Sequence, residues 1–200
     1  DEEKKVSGKG RLAGLQAARD AFYKGDIAAA IVRYHREHKG WVTAEDLAGF
    51  DAEIEKPVHV RYKGYDIYTN PPWCQGPALG QALKLAEGMD LKALGHNSPA
   101  YVHAVTEVLK LAFADRERYY GDPRFVDVPL DRLLSDEYVR QRRGEIKHDR
   151  AHPGLPPAGD MARMGGGAPV FAATAAPGAP LDTSYVCVVD RHGNVFSATP

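Results

Sequence analysis

The sequence predicts an α/β fold, and three observations carry that prediction. Apolar residues recur at spacings of three and four along several long stretches, the mark of amphipathic helices. Residues 58–69 hold two short alternating runs split by Lys63-Gly64, which is a β-hairpin pattern. The run from Thr183 to Thr199 reads as a second pair of strands, joined by a turn that contains Gly193-Asn194.

The elements follow in order. Residues 11–24 suit a helix, with Leu12, Leu15, Ala18, Arg19 and Phe22 on one stripe. Gly25 breaks it, and Asp26 can cap a second helix carrying Ile27, Ala30, Ile31 and Tyr34 as far as Lys39-Gly40. Thr43-Ala44-Glu45-Asp46 is close to a capping box, with Asp where Glu or Gln is usual, and predicts a short helix. After the 58–69 hairpin, Pro71-Pro72 ends the strand. Gly76 to Gly88 is helical, with Leu79, Leu83 and Leu85 apolar. Ser98-Pro99 is a strong helix start, an N-cap serine followed by proline in the first turn. The stripe that follows (Tyr101, Val105, Val108, Leu109, Ala112) predicts a long, well-buried helix to about Tyr120, closed by Gly121-Asp122-Pro123. Ser135 caps one more helix with Tyr138 and Val139.

Residues 148–182 differ in kind. Six glycines and six prolines fall among alanines, and Gly165-Gly166-Gly167 reads as a flexible hinge. A structureless stretch this long is unusual inside a compact domain, so it is a linker or a segment with a job. No domain boundary is expected before it.

Composition narrows the function classes. The chain has 200 residues, 44% apolar and 26% charged, as in ordinary soluble globular proteins. A net charge of -1 gives no electrostatic case for nucleic acid or an anionic membrane. No apolar run approaches the length of a transmembrane helix, and the opening Asp1-Glu2-Glu3-Lys4-Lys5 is not a signal peptide. Cys74 and Cys187 form no CxxC pair, and Cys187 reads as a small core hydrophobe. His148/His152 and His35/His38 have the spacing of metal pairs. The first pair sits where no helix would align it. The second ends a charged helix and reads as a solvated face. Neither has a third ligand nearby in sequence, so no metal is expected. Arg140, Arg142 and Arg143 likewise read as a solvated helix surface.

Thr183 is the residue that carries chemistry. Threonine is a good strand former, and most threonines at strand starts are chemically idle. Here a loose segment precedes it, an apolar strand follows it, and a tight turn leads to a second strand. An N-terminal nucleophile hydrolase needs that arrangement. Its chain is cut in front of the threonine, and the new α-amine serves as base for the hydroxyl of the same residue. Strand alternation turns Ser184 away from the Thr183 side chain and puts Tyr185 on its face. Ser184 therefore has a supporting role at most, whereas Tyr185 lines the pocket or packs.

Thr183, Ser184, Val188, Gly193, Asn194, Ser197 and Thr199 match a signature that resembles the start of the γ-glutamyltranspeptidase small subunit. Three positions depart from it. Tyr185 stands where histidine is usual, Cys187 where serine or threonine is usual, and Phe196 where valine is usual. Upstream, Gly40-Trp41-Val42-Thr43-Ala44-Glu45-Asp46-Leu47, the hairpin Tyr62–Tyr68 with Pro71-Pro72, Leu94–Ser98, Lys110–Arg116 and Tyr120–Pro123 resemble further segments of that family, in the family's order.

The resemblance implies a four-layer αββα sandwich of which this chain is a part. Residues 1–182 would be the C-terminal part of the large subunit, with 148–182 a flexible linker, and 183–200 the first strands of the small subunit. It implies cleavage of Asp182-Thr183, a large/small subunit heterodimer, and Thr183 as nucleophile. The donor would be a γ-glutamyl amide such as glutathione, and the acceptor water, an amino acid or a peptide. No cofactor is implied, and members are often periplasmic or secreted. The residues that bind substrate in the family fall outside this chain. Two other readings remain open: an acylase of the glutaryl or cephalosporin type with the same mechanism, and a non-catalytic homologue. In the first two readings, the tail ending at Asp182 must be displaced before substrate enters.

Overall fold

The computed structural model describes residues 1–160 and 185–198. Helices dominate, with two antiparallel β-hairpins, so the described residues mix helix and sheet. Contacts divide the chain into two compact units, Asp1–Glu55 and Lys56–Pro200.

The first unit is helical. It opens with α1 (Glu2–Lys5) and a 3-10 turn (Ser7–Lys9), both too short to show a period in the sequence. Helix α2 (Arg11–Tyr23) lies where its stripe predicts. Yet Leu12 is 83% exposed, and Leu15 and Phe22 are also exposed. The stripe marks the helix, but nothing within this unit covers it. Helix α3 (Asp26–Glu37) corrects one expectation. Asp26 is its first helical residue, and Gly25 takes the N-cap position with no side-chain cap bond. Asp26 still favours the helix as a carboxylate in the positive first turn. Helix α4 (Ala44–Gly49) is capped by Thr43 as predicted. The Asp46 N–H donates to Thr43 Oγ1 at 3.2 Å, and the Thr43 N–H donates to Asp46 Oδ2 at 2.9 Å. The Thr43 hydroxyl, then its N–H, hold the Asp46 carboxyl below its usual range.

The second unit has the core. Strands β1 (Val58–Tyr62) and β2 (Tyr65–Thr69) pair antiparallel, with Val60 opposite Ile67. Lys63 and Gly64 both take positive φ, 49° and 89°, which matches the right-handed twist of a two-residue hairpin. The turn is hooked to the end of α5 (Gly76–Glu87), where the Lys63 N–H donates to Glu87 Oε1 at 3.0 Å. Gly80 lets α5 lie against β1, since a Cβ there would sit 3.2 Å from Val60 Cγ1.

The long helix α6 (Pro99–Tyr119) starts at Ser98, whose hydroxyl accepts from the Tyr101 N–H at 3.1 Å. It is well buried, on a face that includes Ala104, Val108, Leu111 and Ala112, whereas Leu109 of the predicted stripe is 40% exposed. Ala82, Leu85 and Ala86 of α5 meet Val108, Leu111 and Ala112 of α6, with Val139 and Ile146 completing the cluster. Complete burial of a leucine such as Leu85 stabilises by about 1.5–3 kcal/mol. Leu79 turns outward instead, because α5 presents Ala78, Gly80, Gln81, Ala82 and Leu85 inward. After a short helix α7 (Leu130–Leu133), absent from the sequence reading, comes α8 (Asp136–Arg143). It is capped by Ser135 as expected and buries Tyr138 and Val139.

Residues 148–160 form no helix or strand, yet they are held as a strap across α6 and α8. The His152 N–H donates to Glu107 Oε2 at 3.2 Å, and Lys110 Nζ donates to the His152 carbonyl at 2.7 Å. Burial pushes the Glu107 carboxyl up, but the Lys110 ammonium and the His152 N–H outweigh it and hold it low. Gly159 is buried at the strap's end, and a Cβ there would stand 2.0 Å from the Tyr138 hydroxyl oxygen. Tyr138 is fully enclosed and has no room to swing aside. Gly159→Ala should therefore cost about 3 kcal/mol through overpacking, seen as a lower urea midpoint at unchanged slope. An unchanged midpoint would show that the strap is not seated there. The rest of the Gly/Pro/Ala stretch, and with it the linker and tail-displacement expectations, lies outside the described residues.

Strands β3 (Val186–Val189) and β4 (Val195–Ala198) pair antiparallel, with Cys187 opposite Ser197 and Val188 opposite Phe196. Cys187 is exposed, which corrects its reading as a core residue. A two-stranded hairpin cannot bury its own faces, and among the described residues no third strand joins it. No described helix is long and apolar enough to cross a membrane.

Candidate functional site

The hairpin β3–β4 is set by its turn. Asp190 Oδ1 accepts from the His192 N–H at 2.8 Å and the Asn194 N–H at 2.9 Å, and Asp190 Oδ2 accepts from Asn194 Nδ2 at 2.8 Å. Gly193 takes φ 81°, the conformation that closes the loop. The Asn194 side chain, then its N–H, lead the bonds that hold the Asp190 carboxyl below its ordinary value of 3.8. A lowered carboxyl stabilises above its unfolded pKa, and that contribution is lost as pH falls through the folded value. Protection of the Asn194 amide, its exchange rate relative to the intrinsic rate at the same pH, should therefore hold from neutral pH down to about 4 and fall below it. Exchange that ignores this range would mean the carboxylate does not hold the turn.

Alternation puts Tyr185, Cys187 and Ser197 on one face, and Val186, Val188, Phe196 and Ala198 on the other. The Tyr185 ring is 64% exposed, and its hydroxyl lies 3.1 Å from that of Ser197. The three other expected site residues, Asp182, Thr183 and Ser184, lie outside the described residues, as does Thr199.

The histidine pairs gather no metal set. Among the described residues no group of three or more His, Cys, Asp or Glu could hold an ion. The His38 ring turns back on its own helix, with Nδ1 2.8 Å from the Tyr34 carbonyl oxygen.

Arg140 is exposed as expected, but Arg142 and Arg143 overturn the reading of a solvated cluster. Arg142 is 1% exposed and pairs with Asp115, itself fully buried, at 3.2 Å between Nη2 and Oδ1. Arg143 also turns inward, donating from Nε to the Leu85 carbonyl at 2.7 Å. The signal was present: Arg142 follows Tyr138 by four and Val139 by three, and so shares their inward face. Asp115 Oδ1 also accepts from the Gly159 N–H at 2.8 Å, and Oδ2 accepts from Gln81 Nε2 at 2.5 Å. Arg142 further donates to Glu145 Oε2 at 2.6 Å and to the Pro157 carbonyl at 3.0 Å. The Tyr119 hydroxyl donates to the Gly159 carbonyl at 2.6 Å. Burial, reinforced by the Asp115 charge, drives the Tyr138 and Tyr120 phenols far above their ordinary range. These phenols have no acid–base use near neutral pH. The cluster is a clamp on the strap.

Comparison with known proteins covers both the strap and the hairpin. Residues 11–200 match the model of the Gamma-glutamyltranspeptidase family. An Acylase ACY 1 proenzyme from Pseudomonas sp. (strain SE83) is 35% identical over 181 residues, covering 90% of this chain and 29% of that protein. The Glutathione hydrolase proenzyme of Pseudomonas aeruginosa is 37% identical over 189 residues, covering 90% and 30%. Among solved structures, LmbA2991HD superposes with a TM-score of 0.78 at 37% identity, over 98% of this chain and 35% of that one. The gamma-glutamyltranspeptidase of Helicobacter pylori gives a TM-score of 0.62 at 34% identity, over 70% and 41%. The chain thus spans under a third of the length of these two curated relatives. Its fold is part of an N-terminal nucleophile hydrolase. With the match running unbroken across the strap and the hairpin, the chain belongs to the γ-glutamyltranspeptidase family.

Proposed function

We propose that this chain is the junction of a self-processing amidohydrolase or transferase. Residues 1–182 supply the C-terminal part of the large subunit, and 183–200 the start of the small one. The observation that carries the reading is the family match through residue 183, with Thr183 at the signature's first position.

The reaction has two stages. First the Thr183 hydroxyl attacks the Asp182 carbonyl and the amide nitrogen leaves, giving an ester by N-to-O acyl shift. Water hydrolyses the ester, freeing the Asp182 carboxylate, the Thr183 hydroxyl and its α-amine. The α-amine, with an ordinary pKa near 7.7–8.0, then takes the hydroxyl proton at neutral pH. The hydroxyl attacks the substrate amide, the departing amine takes up the proton, and an acyl-enzyme remains. Water or an acceptor amine releases the acyl group. Ser184 and Tyr185 have supporting roles.

The leading substrate is a γ-glutamyl amide such as glutathione, in line with the glutathione hydrolase relatives. The acylase relative supports a second reading, the same chemistry in an acylase of the glutaryl or cephalosporin type. The deciding experiment uses full-length protein. Intact mass and N-terminal sequencing test for a chain beginning at Thr183, and γ-glutamyl and glutaryl p-nitroanilides compete as donors. A single uncut chain with no turnover of either would leave the non-catalytic homologue.

A further inference from the structure

The sequence departs from the family signature at Tyr185, and the structure supplies that departure with a partner. The β3–β4 ladder ends at Val186 opposite Ala198. Tyr185 precedes that last rung, and its side chain reaches diagonally along the hairpin to Ser197, the partner of Cys187, hydroxyl to hydroxyl at 3.1 Å. Either hydroxyl can donate, and neither carries charge. The bond ties the chain to β4 one residue beyond the ladder, on the side leading to Thr183. Both partners lie on the same hairpin face. Tyr185 is the first described residue after Thr183 in the chain.

We propose that the Tyr185–Ser197 hydroxyl pair positions the nucleophile, holding the start of β3 so that Thr183 meets the scissile carbonyl in register. This rests on the Thr183 reading above. The pair touches no substrate in this role; it acts through the backbone of residues 183–185. Small misplacement of a reacting atom costs rate steeply, up to about 100-fold for 1 Å. Because the hairpin pair is exposed, its loss costs little stability. Rate and stability should therefore separate.

The test is a double-mutant cycle in full-length, matured protein, using Tyr185→Phe, Ser197→Ala and both together. The readouts are kcat and KM on whichever anilide the enzyme turns over, with the thermal midpoint beside them. Each single change should lower kcat by about tenfold with KM within about twofold, and the double should be no worse than either single. Independent, multiplying effects, an effect confined to KM, or an unchanged kcat would each overturn the proposal. Thr183→Ala runs in parallel. If Thr183→Ala stays active, the nucleophile assignment falls and the positioning proposal falls with it. If it is inactive and the cycle shows no coupling, the pair falls and the nucleophile stands.

Discussion

Thr183→Ala in the full-length protein should leave one uncut chain and no measurable turnover. Two losses coincide at this residue. Without the hydroxyl, nothing attacks the Asp182 carbonyl, so the peptide bond stays intact. Without cleavage, the α-amine that would serve as base remains an amide and cannot accept a proton. Losing a covalent nucleophile alone lowers kcat by at least about 10⁴-fold in serine hydrolases, and here its base is lost with it. Thr183→Ser keeps a hydroxyl and should retain both steps at reduced rate. Intact mass resolves one chain from two, and a hydroxylamine trap reports any acyl-enzyme. An alanine variant that still matures into two pieces would move the cleavage chemistry to another residue.

What could be read in the sequence follows the range of the interactions involved. Local chemistry was legible. Thr43 and Asp46 make their reciprocal cap, Ser98 and Ser135 cap where they stand, and Lys63-Gly64 turns the first hairpin. Each depends on a few neighbouring residues. The misreadings came from partners far along the chain. Arg142 seemed solvated because its carboxylate, Asp115, is 27 residues away on another helix. Cys187 seemed buried because an apolar strand was assumed to have a layer over it. The first part of the Gly/Pro/Ala stretch seemed loose, yet Glu107, Asp115 and Arg142 bind its backbone. For the candidate site, the signature nominated Thr183, which lies outside the described residues, but could not show that Tyr185, in the usual histidine position, would find Ser197 across the hairpin.

Asp115→Ala should be the most damaging change in the described structure, costing about 3–5 kcal/mol. It strands the Arg142 guanidinium, 1% exposed, without its buried counter-charge. It also removes the acceptor of the Gly159 N–H and the Gln81 amide. Many buried ion pairs can be replaced by apolar side chains of similar volume at little cost, because desolvation offsets most of their attraction. This one should resist that exchange. In the double variant Asp115→Leu/Arg142→Met the charges are gone, but the buried Gly159 N–H and the buried Gln81 amide lose their acceptor. An orphaned buried backbone group costs about 1–3 kcal/mol. The double variant should therefore stay at least about 2 kcal/mol below the parent in urea unfolding, though above Asp115→Ala. Parent-like stability in the double variant would mean that the strap finds other partners and that the pair is only an ion pair. The predicted shortfall would instead identify Asp115 and Arg142 as the residues that fasten the strap to α6 and α8, at the point where the chain sets out toward Thr183.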